Sequence, residues 1–183
     1  KITISRAKYN IEFPCSLMFV ASMNPCPCGY YGDPTHHCVC TPGQIQHYMN
    51  KISGPLLDRI DIQCAITPVP FKDISRGKEG ESSAEIRQRV IRAREIQTER
   101  FRDVKGVHCN SQMSERMLHA YAEPDDQGIA MLRMAMERLS LSARAYSRIL
   151  KVARTIADLA GSPRVEVDHL AEAISYRQLD RGD

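Results

Sequence analysis

Leu141-Ser142-Ala143-Arg144-Ala145-Tyr146-Ser147-Arg148-Ile149-Leu150-Lys151-Val152-Ala153-Arg154-Thr155-Ile156-Ala157-Asp158-Leu159 sets Ala145, Ile149, Val152, Ile156 and Leu159 at helical spacing, and Gly161 and Pro163 close the stretch. The same period runs outward from it. Upstream lie Ile129, Leu132, Met136 and Leu139, and before them Met113, Met117 and Tyr121; downstream the pattern predicts a last helix from about Asp168 to Arg177. Residues 110–183 therefore read as an all-α domain, a bundle of four or five helices.

Further upstream the texture changes. Leu17-Met18-Phe19-Val20-Ala21 is a short continuous apolar run, the pattern of a strand buried on both faces of a parallel sheet. Ile60, Ile62, Cys64 and Ile66 alternate with other residues up to Pro68 and Pro70, which predicts a second strand. Between them, Thr41-Pro42-Gly43-Gln44 carries a capping threonine, a proline in the first turn and a glutamine three residues after the cap, so a helix should begin here and end before Gly54-Pro55. Residues 1–70 read as α/β. Residues 71–109 read as a charged linker feeding a connecting helix, which the capping box Ser82-Ser83-Ala84-Glu85 opens.

The 183 residues are 43% hydrophobic, enough for a packed core, and 25 basic against 22 acidic residues leave a net charge of only +3. That balance is unlike a dedicated nucleic-acid-binding domain. No apolar run approaches the roughly 18 residues that span a bilayer, and no signal peptide is evident, so a cytoplasmic chain without a membrane partner is expected. The opening Lys1-Ile2-Thr3-Ile4 lacks an initiator Met, which suggests a fragment of something longer.

Three side chains stand out as candidates for chemistry. Asn24 follows directly on the first predicted strand, and ligands of open α/β sheets bind at such carboxyl ends. Its amide can orient a water or a phosphate oxygen without adding charge, although an Asn before Pro25 also suits a simple turn. Arg59 immediately precedes the second predicted strand, where a guanidinium could reach a phosphate across a subunit boundary or merely pair with Asp58. Arg144 stands in the first turn of its helix, with Arg148 and Lys151 continuing the face. That stripe is either solvated surface or a phosphate-facing patch.

Seven cysteines are an odd number, and Cys26, Cys28, Cys38 and Cys40 crowd into fifteen residues while Cys15, Cys64 and Cys109 stand apart. Two Cys-x-Cys pairs on one loop offer four thiolates, and tetrahedral zinc is the natural product, with free thiols as the alternative. His36 and His37 could replace one ligand, but the symmetric pairs favour four sulfurs. A closed set of four protein ligands would be structural, and metal would supply folding free energy to a loop that has little else to pack.

Val20-Ala21-Ser22-Met23-Asn24-Pro25-Cys26-Pro27-Cys28-Gly29, Ser53-Gly54-Pro55-Leu56-Leu57-Asp58-Arg59-Ile60-Asp61, the 141–159 stretch and Glu172-Ala173-Ile174-Ser175-Tyr176-Arg177 are similar, in order and spacing, to the magnesium-chelatase-like AAA+ proteins of the ComM/YifB type. The resemblance covers nearly the whole chain. It implies the C-terminal part of a AAA+ α/β core (1–70, with the Cys-rich loop 26–40) followed by a helical lid (110–183). By position it makes Asn24 the sensor-1 residue, Arg59 the arginine finger, and Arg144 the sensor-2 arginine that contacts the phosphates of ATP. It also implies magnesium, a hexameric ring of identical subunits, and DNA remodelling linked to branch migration and natural transformation. Ile2-Thr3-Ile4-Ser5-Arg6-Ala7 resembles a hairpin facing the pore in these proteins.

The chain departs from the pattern in two respects. It has no Gly-x-x-x-x-Gly-Lys-[Ser/Thr] segment and no acidic pair for magnesium, so hydrolysis by this chain alone is not expected. Two other readings stand beside the motor. One is a non-enzymatic zinc module binding nucleic acid through the loop and an arginine-rich helix containing Arg87, Arg89, Arg92, Arg94, Arg100 and Arg102, though acidic residues alternate with these. The other is a magnesium chelatase subunit proper.

Overall fold

The computed structural model describes residues 1–6, 9–15, 17–66, 68–69 and 80–177. They form two compact units, residues 1–50 and 51–183.

The first unit opens with a hairpin. Strand β1 (Ile2–Arg6) pairs antiparallel with β2 (Tyr9–Phe13), with Ile2 opposite Phe13 and Ile4 opposite Ile11. Cross-strand apolar pairs of this kind stabilise a two-stranded ribbon, here on one face, while Thr3, Ser5, Asn10 and Glu12 occupy the other. The hairpin suggested by the resemblance is thus present over Ile2–Phe13.

The strand expected at Leu17–Ala21 is not. These residues have no regular structure and are exposed, Met18 at 89%. A parallel-sheet strand is held by ladder bonds from neighbours on either side, and among the described residues β1 and β2 are the only paired strands. The expected α/β layer is therefore corrected to a small hairpin, with the rest of the described regular structure helical. Helix α1 (Pro42–Met49) does form where its cap predicts. Gln44 N–H donates to Thr41 Oγ1 at 3.3 Å, and Thr41 N–H to Gln44 Oε1 at 2.9 Å.

Early in the second unit stands the one-turn helix α2 (Gly54–Leu57), at the Gly54-Pro55 pair before which the preceding helix is expected to end. The strand expected at Ile60–Ile66 is also corrected. It shrinks to one parallel bridge, Gln63 with Arg177, because among the described residues no neighbouring strand extends it. Residues 71–79 of the expected linker lie outside the described residues. Helix α3 (Ser83–Arg100) starts at the predicted Ser82–Glu85 capping box.

A 3₁₀ turn (Asn110–Gln112) and helices α4 (Glu115–Tyr121), α5 (Asp126–Arg138), α6 (Ala143–Ala160) and α7 (Val167–Ser175) complete the bundle. Its core gathers Phe101, Met113, Leu118, Leu132, Ile149, Leu150, Ala153, Ala157, Val165 and Leu170. Each fully buried Leu or Ile contributes about 1.5–3 kcal/mol. Helix α6 is the axis of this packing: Ser142 caps its start, and Gly161 (φ +71) ends it in a Schellman turn, with Ser162 N–H on Ala157 O at 2.8 Å and Gly161 N–H on Asp158 O at 3.1 Å. The apolar stripe read from the sequence divides between two faces. Ala145 and Ile149 join Ala153 and Ala157 in the core, whereas Val152, Ile156 and Leu159 line a cleft.

Gly128, in the first turn of α5, lies where the bundle is tightest. A Cβ there would stand 2.6 Å from Pro124 Cβ and 2.7 Å from Leu170 Cδ1. Overpacking of this kind costs about 1–3 kcal/mol, against at most roughly 1 kcal/mol gained by alanine over glycine in a helix. Gly128→Ala is expected to lower the urea midpoint; an unchanged or raised midpoint would show that the contact relaxes freely.

Candidate functional site

The cysteine loop is built by its turns. After Asn24-Pro25 the chain folds back through Gly29 (φ +87) and Gly32 (φ +80), backbone conformations that favour glycine, and Gly29 N–H closes the first turn on Cys26 O at 3.1 Å. Asp33 then organises the far side. Its Oδ1 accepts from Thr35 N–H at 2.7 Å, Thr35 Oγ1–H at 2.7 Å and His36 N–H at 2.9 Å, and the Thr35 bonds foremost hold its carboxyl down at about 2.

This path brings all four predicted ligands together. Cys26 Sγ lies 3.3 Å from Cys28 Sγ and 3.7 Å from Cys38 Sγ, Cys28 Sγ lies 3.6 Å from Cys38 Sγ, and the four sulfurs all fall within 4.8 Å of one another. Four sulfurs at about 2.3 Å from one zinc sit roughly 3.8 Å apart, so the set fits a tetrahedral metal. Protonation points the same way. The Tyr30 backbone N–H foremost pulls Cys28 down to about 6, while burial, reinforced by the neighbouring Cys28 and Cys26 sulfurs, pushes Cys40 up to about 12. Sulfurs in contact cannot all carry charge unless a cation lies among them. Neither histidine belongs to the group: His36 stacks on Tyr30 with centroids 4.8 Å apart, and its Nδ1 meets Thr35 Oγ1 at 2.9 Å. Asn24, exposed, lies two residues before Cys26 and near the Cα of Gly29, where a Cβ would stand 4.0 Å from its Nδ2.

In the second unit, the cleft beside α6 has a volume of about 910 Å³ and is lined by Arg144, Arg148 and Lys151, by the acidic Asp61, Glu115 and Glu172, and by Val152, Ile156 and Leu159. Two of its cations are engaged. Arg148 pairs with Asp61, and Lys151 Nζ donates to Ser111 O at 3.0 Å. Arg144, exposed in the first turn of α6, forms no hydrogen bond or ion pair among the described residues. Arg59 does not line this cleft; its guanidinium is exposed and donates to Pro55 O at 2.7 Å.

A buried polar cluster beneath α6 went unread in the sequence. Asp158 receives Arg100, Arg154 and Asn110, and Arg154 also donates to Ser162 O at 2.6 Å and Pro163 O at 3.1 Å. Arg100 and Asn110 lie 58 and 48 residues from Asp158, a separation that leaves no local signal. Three arginines in or just after α3 also have acidic partners: Arg100 pairs with the buried Asp158, and at the surface Arg89 pairs with Glu81 and Arg102 with Glu99. Among the described residues no helix is long and apolar enough to cross a membrane.

A sulfur-lined knuckle in one unit, and in the other a helical bundle with a cleft lined by both cations and carboxylates, coincide with two matched family segments. Residues 1–74 match the model described as magnesium chelatase, subunit ChlI, and residues 80–177 the model described as magnesium chelatase, subunit ChlI C-terminal; the chain belongs to this magnesium-chelatase-like family. The competence protein ComM of Haemophilus influenzae is 41% identical over 182 residues, covering 99% of this chain and 34% of the relative. The proteins called YifB in Salmonella typhimurium and Escherichia coli are each 38% identical, over 99% of this chain and 35% of their own length. The chain thus spans about a third of the length of the curated relatives it matches.

Proposed function

We propose that this chain forms the sensor and finger side of a AAA+ subunit of the ComM/YifB type, which binds ATP with magnesium, assembles with copies of itself into a hexameric ring, and remodels DNA. The supporting observation is Arg144: an exposed guanidinium without a partner among the described residues, at the start of an 18-residue helix and beside a cleft whose other cations are engaged. An unpaired cation in that position is suited to a phosphate. In this reading Arg144 contacts the nucleotide from the lid, Asn24 orients the attacking water, and Arg59 is offered to the neighbouring subunit. Zinc on Cys26, Cys28, Cys38 and Cys40 supports the loop that follows Asn24 and takes no part in chemistry, because four protein sulfurs leave no open position.

ATP and magnesium need a phosphate loop that this sequence does not contain, so the purified 183-residue chain is expected to show no turnover. Within a full-length subunit, Arg59→Ala should lower kcat by about 10³–10⁵. Arg144→Ala should weaken nucleotide binding, and rings mixed from the two variants should recover part of the activity that neither has alone. Arg59→Ala rings that hydrolyse ATP at the parental rate would refute the assignment. The alternative nucleic-acid module predicts instead that the isolated chain binds DNA with a steep salt dependence. The committed arginines of α3 argue against it.

A further inference from the structure

The segment that carries Arg59 is fastened to α6, the helix that carries Arg144, and to the residues that follow α7, through Asp58, Ile60, Asp61 and Gln63 but not through Arg59 itself. Ser142, the N-cap of α6, donates its hydroxyl to Asp58 Oδ2 at 3.1 Å while its Oγ accepts from Ala145 N–H at 3.2 Å. Arg148, one turn beyond Arg144, pairs with Asp61. From the end of α7, the buried Arg177 donates to Ile60 O and holds Nη2 at 3.7 Å from Asp58 Oδ1, and Tyr176 O accepts from Gln63 N–H at 2.8 Å. Arg59, in the middle, is exposed.

We infer that Asp58 is a positioning residue that latches the Arg59 segment to the start of α6, so that a ligand held by Arg144 and the guanidinium presented by Arg59 are coupled through one hydrogen-bonded joint. The inference rests on the roles proposed above for Arg59 and Arg144. Its physical basis is local. The Ser142 hydroxyl serves both partners at once, donating to Asp58 and accepting from the first turn of the helix, so neither the segment nor that turn can shift without breaking a bond of the other. Coupling of this kind is reciprocal: what steadies Arg144 steadies Arg59, and the reverse.

The test has two arms. In the complete 183-residue chain, amide exchange is followed in Asp58→Ala, Ser142→Ala and the double variant. Either single change should speed exchange across residues 59–63 about tenfold, the equivalent of one net hydrogen bond. The double variant should add little, and the cycle subtracts the capping loss that Ser142→Ala brings by itself. Ser142→Thr, which keeps donor and cap, should restore parental exchange, and it carries the same test if Asp58→Ala fails to fold. Additive effects, or parental exchange at 59–63 in both single variants, would overturn the latch.

In a full-length subunit, Ser142→Ala should lower kcat with KM for ATP little changed, and Ser142→Thr should rescue it. Accelerated exchange without any loss of kcat would overturn the coupling. Should Arg59→Ala leave turnover intact, the functional reading fails instead, and the exchange arm still decides whether the joint exists.

Discussion

Chelation is expected to strip one zinc ion from the 183-residue chain and to release residues 26–40 from their fold, while the helical bundle of residues 83–175 keeps its far-ultraviolet dichroism. The loop is short of other sources of order. Cys26 is its one buried apolar side chain; Tyr30, Tyr31 and Val39 are exposed, and no residue of α1 is buried. The sulfurs are already at the spacing a metal requires, so the free energy of binding one would go into holding this loop together. Because the ligand form is the thiolate, binding releases protons and weakens as pH falls. The Tyr30 backbone N–H lowers Cys28 to about 6, while burial pushes Cys40 up to about 12, so Cys40 would have to release its proton to solvent for a metal to bind. Loss of an outer-shell partner costs metal sites about 10- to 100-fold in affinity, so Cys38→Ser, which removes a ligand itself, should exceed that. Metal analysis and thiol titration of the native chain decide the matter. A metal-free preparation whose loop thiols all react at the rate of free cysteine would end this reading.

Features that depend on a few neighbouring residues could be read before any coordinates. Thr41 with Gln44, Ser82 with Glu85 and Gly161 announce helix ends because a cap is a bond between residues three or so apart. The cysteine pairs belong to the same class, since a nine-residue return between them brings the thiols together whatever the rest of the chain does. Strands were the failure. Leu17–Ala21 and Ile60–Ile66 have the composition of strands, but a strand exists only when another lies beside it, and apolar runs do not name their partners. The same limit hid the Asp58–Ser142 joint and the Arg148–Asp61 pair, whose members are 84 and 87 residues apart. Arg144 was legible as a candidate from its position in the helix. That it alone of the cleft's cations lacks a partner among the described residues required the fold.

Asp158→Ala should be the most damaging single substitution in the helical unit, lowering stability by about 3–5 kcal/mol. Its carboxylate is 2% exposed and sits between the guanidiniums of Arg100 and Arg154, the latter 1% exposed. Removing it leaves two cations without their counter-charge, together with a buried Asn110 amide that now donates to Asp158 at 2.8 Å. At about 3 °C per kcal/mol for a chain of this size, Tm should fall by roughly 10 °C. The same group makes stability depend on pH in one direction. Burial would raise the Asp158 pKa, but the bonds from Arg100 and Asn110 and the Arg154 charge outweigh it and hold the carboxyl below its ordinary value. The folded pKa lies below the unfolded one, about 3.9, so the contribution is complete above that pH and is lost as pH falls through the folded value. Urea midpoints of the parent should therefore drop between pH 5 and pH 3 more steeply than those of Asp158→Asn, which keeps the shape and one acceptor but has no proton to bind. Equal acid slopes in the two proteins, or an Asp158→Ala variant within about 1 kcal/mol of the parent, would mean that the two arginines are satisfied without this carboxylate.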